Sequence, residues 1–316
     1  MVRTFIIATT SAATLFSSAA FTQEPNQGAA LIPDLSGVWT KPYLGIELPL
    51  SGPSPVVNKA RMRQLFDIDG RRLLAASAPL VSNVSQLVGD YSNPILKPEA
   101  AEVVKKHGKM ELRGMPIASA RNQCWPEGVP YVFRDLGIQV LQQPDKITIV
   151  YDYDHEVRRV RMNQPHPAQV TPSWYGDSVG HYEADTLVID TVGIKVGPFS
   201  MIDPFGTPHS QALHVMERYR LIDYEIAMQA QENGLKEWLY LNGGDSGVAL
   251  DRDFRGKGLQ LEFTVEDEGV FTMPWSATVT YRRALGVMPA MVCAENLRAT
   301  YVAKDSAVPR AEKPDF

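Results

Sequence analysis

The chain has 316 residues, 44% hydrophobic and 21% charged, with a formal net charge of −5. This composition excludes collagen-like, coiled-coil and wholly disordered chains, and the length suffices for one large core. The acidic balance argues against a nucleic-acid partner held by a basic surface. Glycine and proline, 23 of each, favour turns and short strands over long helices.

Met1-Val-Arg3 is a short basic start, and Thr4 to Phe16 is mostly apolar and small. Ser18-Ala19-Ala20 then supplies the small residues that a signal peptidase needs. The apolar run is shorter than the ~20 residues of a spanning helix, and no later stretch reaches that length. Residues 1–20 are therefore expected to be a signal peptide, 21–33 a flexible leader, and 34–316 a single β-barrel domain with an insertion at 229–258. Loss of residues 1–20 removes only Arg3, so the mature charge is 30 − 36 = −6. The expected location is periplasmic or secreted, with no membrane span. Export makes a Cys124–Cys293 disulfide the favoured pairing. Neither cysteine belongs to a CxxC motif.

Order is expected from Asp34-Leu-Ser-Gly-Val-Trp39, followed by a Pro-, Gly- and Ser-rich loop over 40–60. Met62, Leu65, Phe66, Leu73 and Leu74 give Lys59 to Ser77 helical spacing. A short helix is predicted over 97–108, opened by Pro98 and Glu99 and closed at Gly108. Beyond Tyr131 the period changes to two. Strands are predicted at Lys146–Tyr153, Glu156–Met162, Asp185–Asp190, Leu213–Leu221, Leu259–Val265 and Trp275–Arg283. The expected fold is mainly β, an antiparallel barrel of lipocalin or calycin type with a few short helices in the N-terminal third.

Three motif matches are set aside. Gly176-Asp-Ser-Val-Gly180 fits G-x-S-x-G, but no strand precedes its serine and no helix follows. Gly244-Asp-Ser-Gly247 resembles a serine-protease loop, yet Val248 follows where that family has glycine. Asp67-Ile-Asp-Gly70 lacks the spacing of a calcium loop.

Between His166 and Arg220 lie four of the six histidines, His166, His181, His209 and His214, among many carboxylates. Histidine carries protons near neutral pH and ligates metals. On Leu213–Leu221 one face carries Val215, Glu217 and Tyr219, and the other carries His214, Met216, Arg218 and Arg220. Glu217 thus faces the core and needs a partner, with Arg158, Arg159 or a histidine as candidates. The candidate catalytic residues are His209, His214, Glu217, Asp177 and His166. Tyr151, Arg159, Trp174, Tyr219 and Trp275 are candidate substrate contacts.

Several segments come in a telling order: Asp34-Leu-Ser-Gly-Val-Trp39, Cys124-Trp-Pro-Glu-Gly-Val-Pro130, His155-Glu-Val-Arg-Arg159, His166-Pro167 and Trp174 to Asp190. Pro208-His-Ser210, Leu213-His-Val-Met-Glu-Arg218, Val265-Glu-Asp267 and Phe271-Thr-Met-Pro-Trp275 complete the set. Over roughly residues 34–300 the chain resembles a large family of exported bacterial proteins, mostly without assigned function. The resemblance implies a lipocalin-like barrel, which Gly37-x-Trp39 suits. The 229–258 insertion departs from the family pattern. His181 stands where the family more often has a basic residue, which argues against an essential catalytic role.

The expected function is an exported enzyme doing acid–base chemistry, a lyase, isomerase or hydrolase, on a small, partly apolar ring compound in a barrel pocket. One alternative is a lipocalin-like binding protein for a small hydrophobic ligand. Another is a metal-assisted hydrolase using the same histidines. No nicotinamide, flavin or phosphate fingerprint occurs, so no cofactor is expected beyond a possible divalent metal.

Overall fold

A computed structural model describes residues 32–59, 87–154, 156–237, 248–286, 288–289 and 291–293. Nine strands close into a barrel in chain order: β1 (Gly37–Thr40), β2 (Gly137–Gln142), β3 (Lys146–Tyr151), β4 (Val157–Met162), β5 (Asp177–Glu183), β6 (Thr186–Val192), β7 (His214–Ile222), β8 (Gly258–Glu266) and β9 (Trp275–Arg283). Closure is made by Trp39 and Thr40 of β1 against Arg283 and Arg282 of β9. Helix α1 (Pro98–Glu111) precedes β2, and α2 (Tyr224–Glu237) lies between β7 and β8. Among the described residues, no helix is long and apolar enough to cross a membrane.

The barrel expectation holds, and so do all six predicted strands to within a few residues at their ends. The antiparallel expectation needs one correction: β4 pairs β5 in parallel, through Val160↔Ser178, Arg161↔Val179 and Met162↔Gly180. A parallel pair needs a long crossover, and the residues between Met162 and Asp177 supply it. Strand β5 starts inside Gly176–Gly180, the segment set aside as a false elbow, and Ser178 is a buried strand residue. Helix α1 runs past Gly108, which is no stop. A Cβ there would come within 3.0 Å of Val88 Cγ1, so the glycine serves close packing. Helices are also not confined to the N-terminal third, because α2 occupies the start of the supposed insertion. The helical reading at 59–77, beyond Lys59, and the Gly243–Gly247 tip lie outside the described residues.

Alternation fills the barrel. Ile138, Val140, Ile147, Ile149, Val160, Ile189, Val215, Leu261, Phe263, Val265, Ala277 and Val279 are all buried in one apolar cluster. The strand-to-strand connections at one end are long. They include residues 41–136 before β2, 193–213 before β7 and 267–274 before β9. The Cys124–Cys293 disulfide lies at this end, with Cα atoms 5.5 Å apart. Cys293 N–H donates to Asp154 Oδ1 at 3.1 Å, which places the staple beside the β3–β4 turn.

At the β1–β9 closure Trp39 is buried. Its indole N–H donates to Leu35 O at 2.9 Å, and the Arg283 guanidinium lies 4.8 Å above the ring. Arg283 also crosses Gly37, donating to Ser36 O at 3.0 Å. Gly37 has φ +126°, and a Cβ there would sit 2.0 Å from Arg283 Nη1. Gly37→Ala should therefore cost ~1–3 kcal/mol in urea unfolding, from strain and the displaced guanidinium together. Adding Arg283→Ala should recover part of that loss, and strict additivity of the two substitutions would refute the clash.

Candidate functional site

Polar groups gather at three places. The first is inside the barrel. Arg158 on β4 reaches Glu217 on β7 through two bonds, Nη1–Oε2 at 2.8 Å and Nη2–Oε1 at 2.5 Å. On the way it donates to Ser178 Oγ on β5 at 3.0 Å and to Thr191 Oγ1 on β6 at 2.6 Å. Tyr219 OH donates to Glu217 Oε2 at 3.2 Å. Arg158 is 1% exposed and Glu217 is 0% exposed. Glu217 thus faces the core as its period-two position requires, and its partner is Arg158 rather than Arg159 or a histidine. Arg159 is exposed on the outer face of β4. Tyr151 lies in the lumen, stacked 6.4 Å from Tyr175 and near the Arg158–Glu217 pair, and burial pushes its phenol up.

The second place is the outer wall of β4–β8. Asp177 opens β5 and accepts from Arg161 Nη2 at 3.0 and 2.8 Å. His166, on the crossover, donates from Nδ1 to Asp177 Oδ2 at 2.6 Å. Its Nε2 is buried, has no hydrogen-bond partner, and faces Asp190 Oδ1 at 3.5 Å. His214 of β7 donates from Nε2 to the same Asp190 oxygen at 2.8 Å, with Nδ1 at 3.6 Å from Glu266 Oε2. The hydrogen bond to Asp190 holds the His214 pKa above its ordinary 6.5, and the reciprocal bond holds Asp190 below the ordinary aspartate value. All five side chains from His166 to Glu266 are partly exposed.

The third place is the end with the long connections. Arg121 Nε lies 2.7 Å from Glu127 Oε1, and Nη2 pairs with Asp135. Glu127 N–H donates to Glu156 Oε1 at 3.1 Å, and Tyr175 OH donates to the other Glu156 oxygen. Lys41, fully enclosed, gives its three protons to the carbonyls of Tyr43, Gly45 and Arg134 at 3.0, 2.5 and 2.8 Å. Burial pushes Lys41 down to about 7. Burial pushes Glu127 up to about 8, with Asp135 adding to the rise. Asp152 rises to about 7 by burial and by Asp135, and Glu156 rises to about 9 by burial and by Glu127. Above this layer stands an aromatic rim: Trp125 meets Trp174 at 5.3 Å and Phe199 at 5.5 Å, with Lys195 Nζ 4.8 Å over Trp174.

Of the predicted catalytic residues, the fold brings together His166, Asp177 and His214, from three separate segments. Glu217 and His214 lie on opposite faces of β7, so no proton passes directly between them. His209 stands apart, its Nδ1 3.1 Å from Ser210 O, and burial pushes its pKa down. Of the predicted contacts, Trp174 lies on the rim and Tyr219 in the lumen. Trp275 is buried against Phe263 and Phe271, each ring 5.9 Å away. His181 pairs at the surface with Glu183 at 3.1 Å. Asp190, Glu266 and the acidic layer were not singled out. Asp190 shares its strand face with Val188 and Val192, so alternation did not mark it, and Glu127 and Glu156 sit on irregular backbone without a period. Among the described residues, no three His, Cys, Asp or Glu side chains form a metal-holding group.

Comparison with protein-family models, with curated proteins and with solved structures finds no match.

Removing one partner of the lumen pair leaves a buried charge. Arg158→Met should cost ~3–5 kcal/mol in urea unfolding, and Arg158→Met with Glu217→Leu should be more stable than Arg158→Met alone. In the acidic layer, Glu156 has an ordinary value of 4.5 unfolded and about 9 folded. The folded state holds that proton more tightly, so its stabilisation is complete below about 4.5 and fades as pH rises through about 9. Wild type should therefore lose urea stability relative to Glu156→Gln between pH 5 and 9. A pH-independent difference would contradict a protonated Glu156.

Proposed function

We propose that the chain is an exported enzyme performing acid–base chemistry on a small, partly apolar ring compound, with His214 as the surface proton donor and acceptor. The observation that carries this is the line Arg161–Asp177–His166–Asp190–His214, in which each imidazole is hydrogen-bonded to one carboxylate and His166 Nε2 lies 3.5 Å from Asp190 Oδ1. An imidazole oriented by a carboxylate keeps one tautomer and one direction, the arrangement that a general acid–base group requires. The hydrogen bond to Asp190 raises the His214 pKa, so the imidazole keeps its proton to higher pH, which suits a proton donor. The lumen is a poorer place for this chemistry, because Arg158–Glu217 and the apolar side chains fill it. Export is inferred from the signal-peptide pattern of residues 1–20, and the Cys124–Cys293 disulfide is in keeping with an oxidising compartment.

Exchange of α-protons in D2O, followed by NMR on small ring ketones, tests the proposal whatever the natural substrate is. Hydrolysis of small lactones is measured in parallel. Wild type should exceed buffer in one of the two assays, and His214→Asn should lose ~10²-fold or more while retaining its fold by circular dichroism. Asp190→Asn should lower the His214 pKa in an imidazole NMR titration and shift the pH profile of the rate with it. Full activity in folded His214→Asn, or no activity above buffer in wild type, would sink the reading. Saturable binding with no turnover of any probe would favour a binding protein instead.

A further inference from the structure

A small cleft opens at the end with the long connections, away from the histidine line. Half-buried Ile46, Arg134 and Pro204 frame it, and Asp203, Phe263 and Trp275 lie deeper. The room inside is about 20 Å³, enough for one oxygen-sized group. Its walls are mostly apolar, yet two of its lining residues, Trp275 and Arg134, carry buried N–H donors without an acceptor, Nε1 and Nε. Trp275 is 3% exposed. A buried donor left without an acceptor costs free energy, so these two nitrogens mark a place where an incoming oxygen is stabilised.

The charge of the lining narrows the class. Arg134 contributes one positive charge, and the Asp203 carboxylate, which accepts from Phe205 N–H at 2.9 Å and Thr207 N–H at 3.1 Å, lies within reach of its field. The second guanidinium branch is occupied, since Nη1 donates to Tyr131 OH at 2.9 Å. With the cation offset by a carboxylate and one branch engaged, the cleft favours a neutral acceptor over an anion. We infer that this cleft binds the carbonyl oxygen of a small, neutral, otherwise apolar ring compound, with the oxygen between Trp275 and Arg134 and the ring against Ile46 and Pro204. None of the histidine-line residues lines the cleft, so the inference stands independently of the proposed chemistry.

Titration of the full chain, with 15N-labelled tryptophan, against three probes decides it: acetophenone, ethylbenzene and benzoate. The Trp275 indole signal is identified by its loss in Trp275→Phe. Acetophenone should move that signal saturably downfield. Ethylbenzene, which lacks the oxygen, should bind about threefold to tenfold more weakly and leave the signal in place. Benzoate should bind more weakly than acetophenone. Arg134→Gln should weaken acetophenone by a similar factor without changing ethylbenzene, which keeps the test open if Trp275→Phe fails to fold. His214→Asn should bind acetophenone as wild type does, so a failure of the chemistry and a failure of the cleft are told apart. No saturable acetophenone shift, equal affinity for ethylbenzene, or tightest binding of benzoate would each overturn the inference.

Discussion

The Arg158–Glu217 pair is the constraint around which the barrel is arranged. The β4–β5 seam is parallel and joins through only three residue pairs, so the ladder alone holds it weakly. Arg158 reaches over that seam from inside, touching β5, β6 and β7 in turn. A buried guanidinium is tolerable only when its donors are met, and here Ser178, Thr191 and Glu217 meet them. The arginine spends its whole side chain on this span, which is why lysine, with no planar fork, is a poor substitute. On the outside, Arg161 and Asp177 bridge the same seam. The wall is thus clasped on both faces, and the outer clasp is also the first member of the histidine line.

That double use gives the outer wall its character. Asp177 holds Arg161 across the seam and orients His166 at the same time. The histidine line is therefore anchored on the same ion pair that spans the β4–β5 seam. The acidic layer at the other site has a different logic. Its carboxyls exceed what Lys41, Arg121 and Arg134 neutralise, and burial leaves some of them protonated. Protonated carboxyls there act as hydrogen-bonding groups rather than charges, which lets a dense polar layer lie under an aromatic rim.

The legible parts of the sequence were those with a period. Val215, Glu217 and Tyr219 alternate with His214, Met216 and Arg218, and that alone places Glu217 inside and His214 outside. The same arithmetic separates the two residues, so the two catalytic candidates on that strand never face each other. Strand β5 was not predicted: Gly176 stands just before it, and Gly180 keeps a strand position close to Val160 and Met162. Its parallel pairing depends on where the crossover lands, and local pattern says nothing about that. The acidic layer was not legible because Lys41, Arg121, Glu127 and Asp135 come from the long connection before β2, and Asp152 and Glu156 from the turn before β4. Only folding makes them neighbours.

The two closures of the molecule share one property of chain order. β1 finds its last neighbour only in β9, and Cys124 finds its partner only in Cys293. A chain synthesised from its N-terminus holds both early halves idle until almost everything else has been made. During that interval the edge of β1 and the thiol of Cys124 are open to foreign strands and foreign thiols. A chain cut short before β9 would carry a sticky edge and a reactive sulfur together.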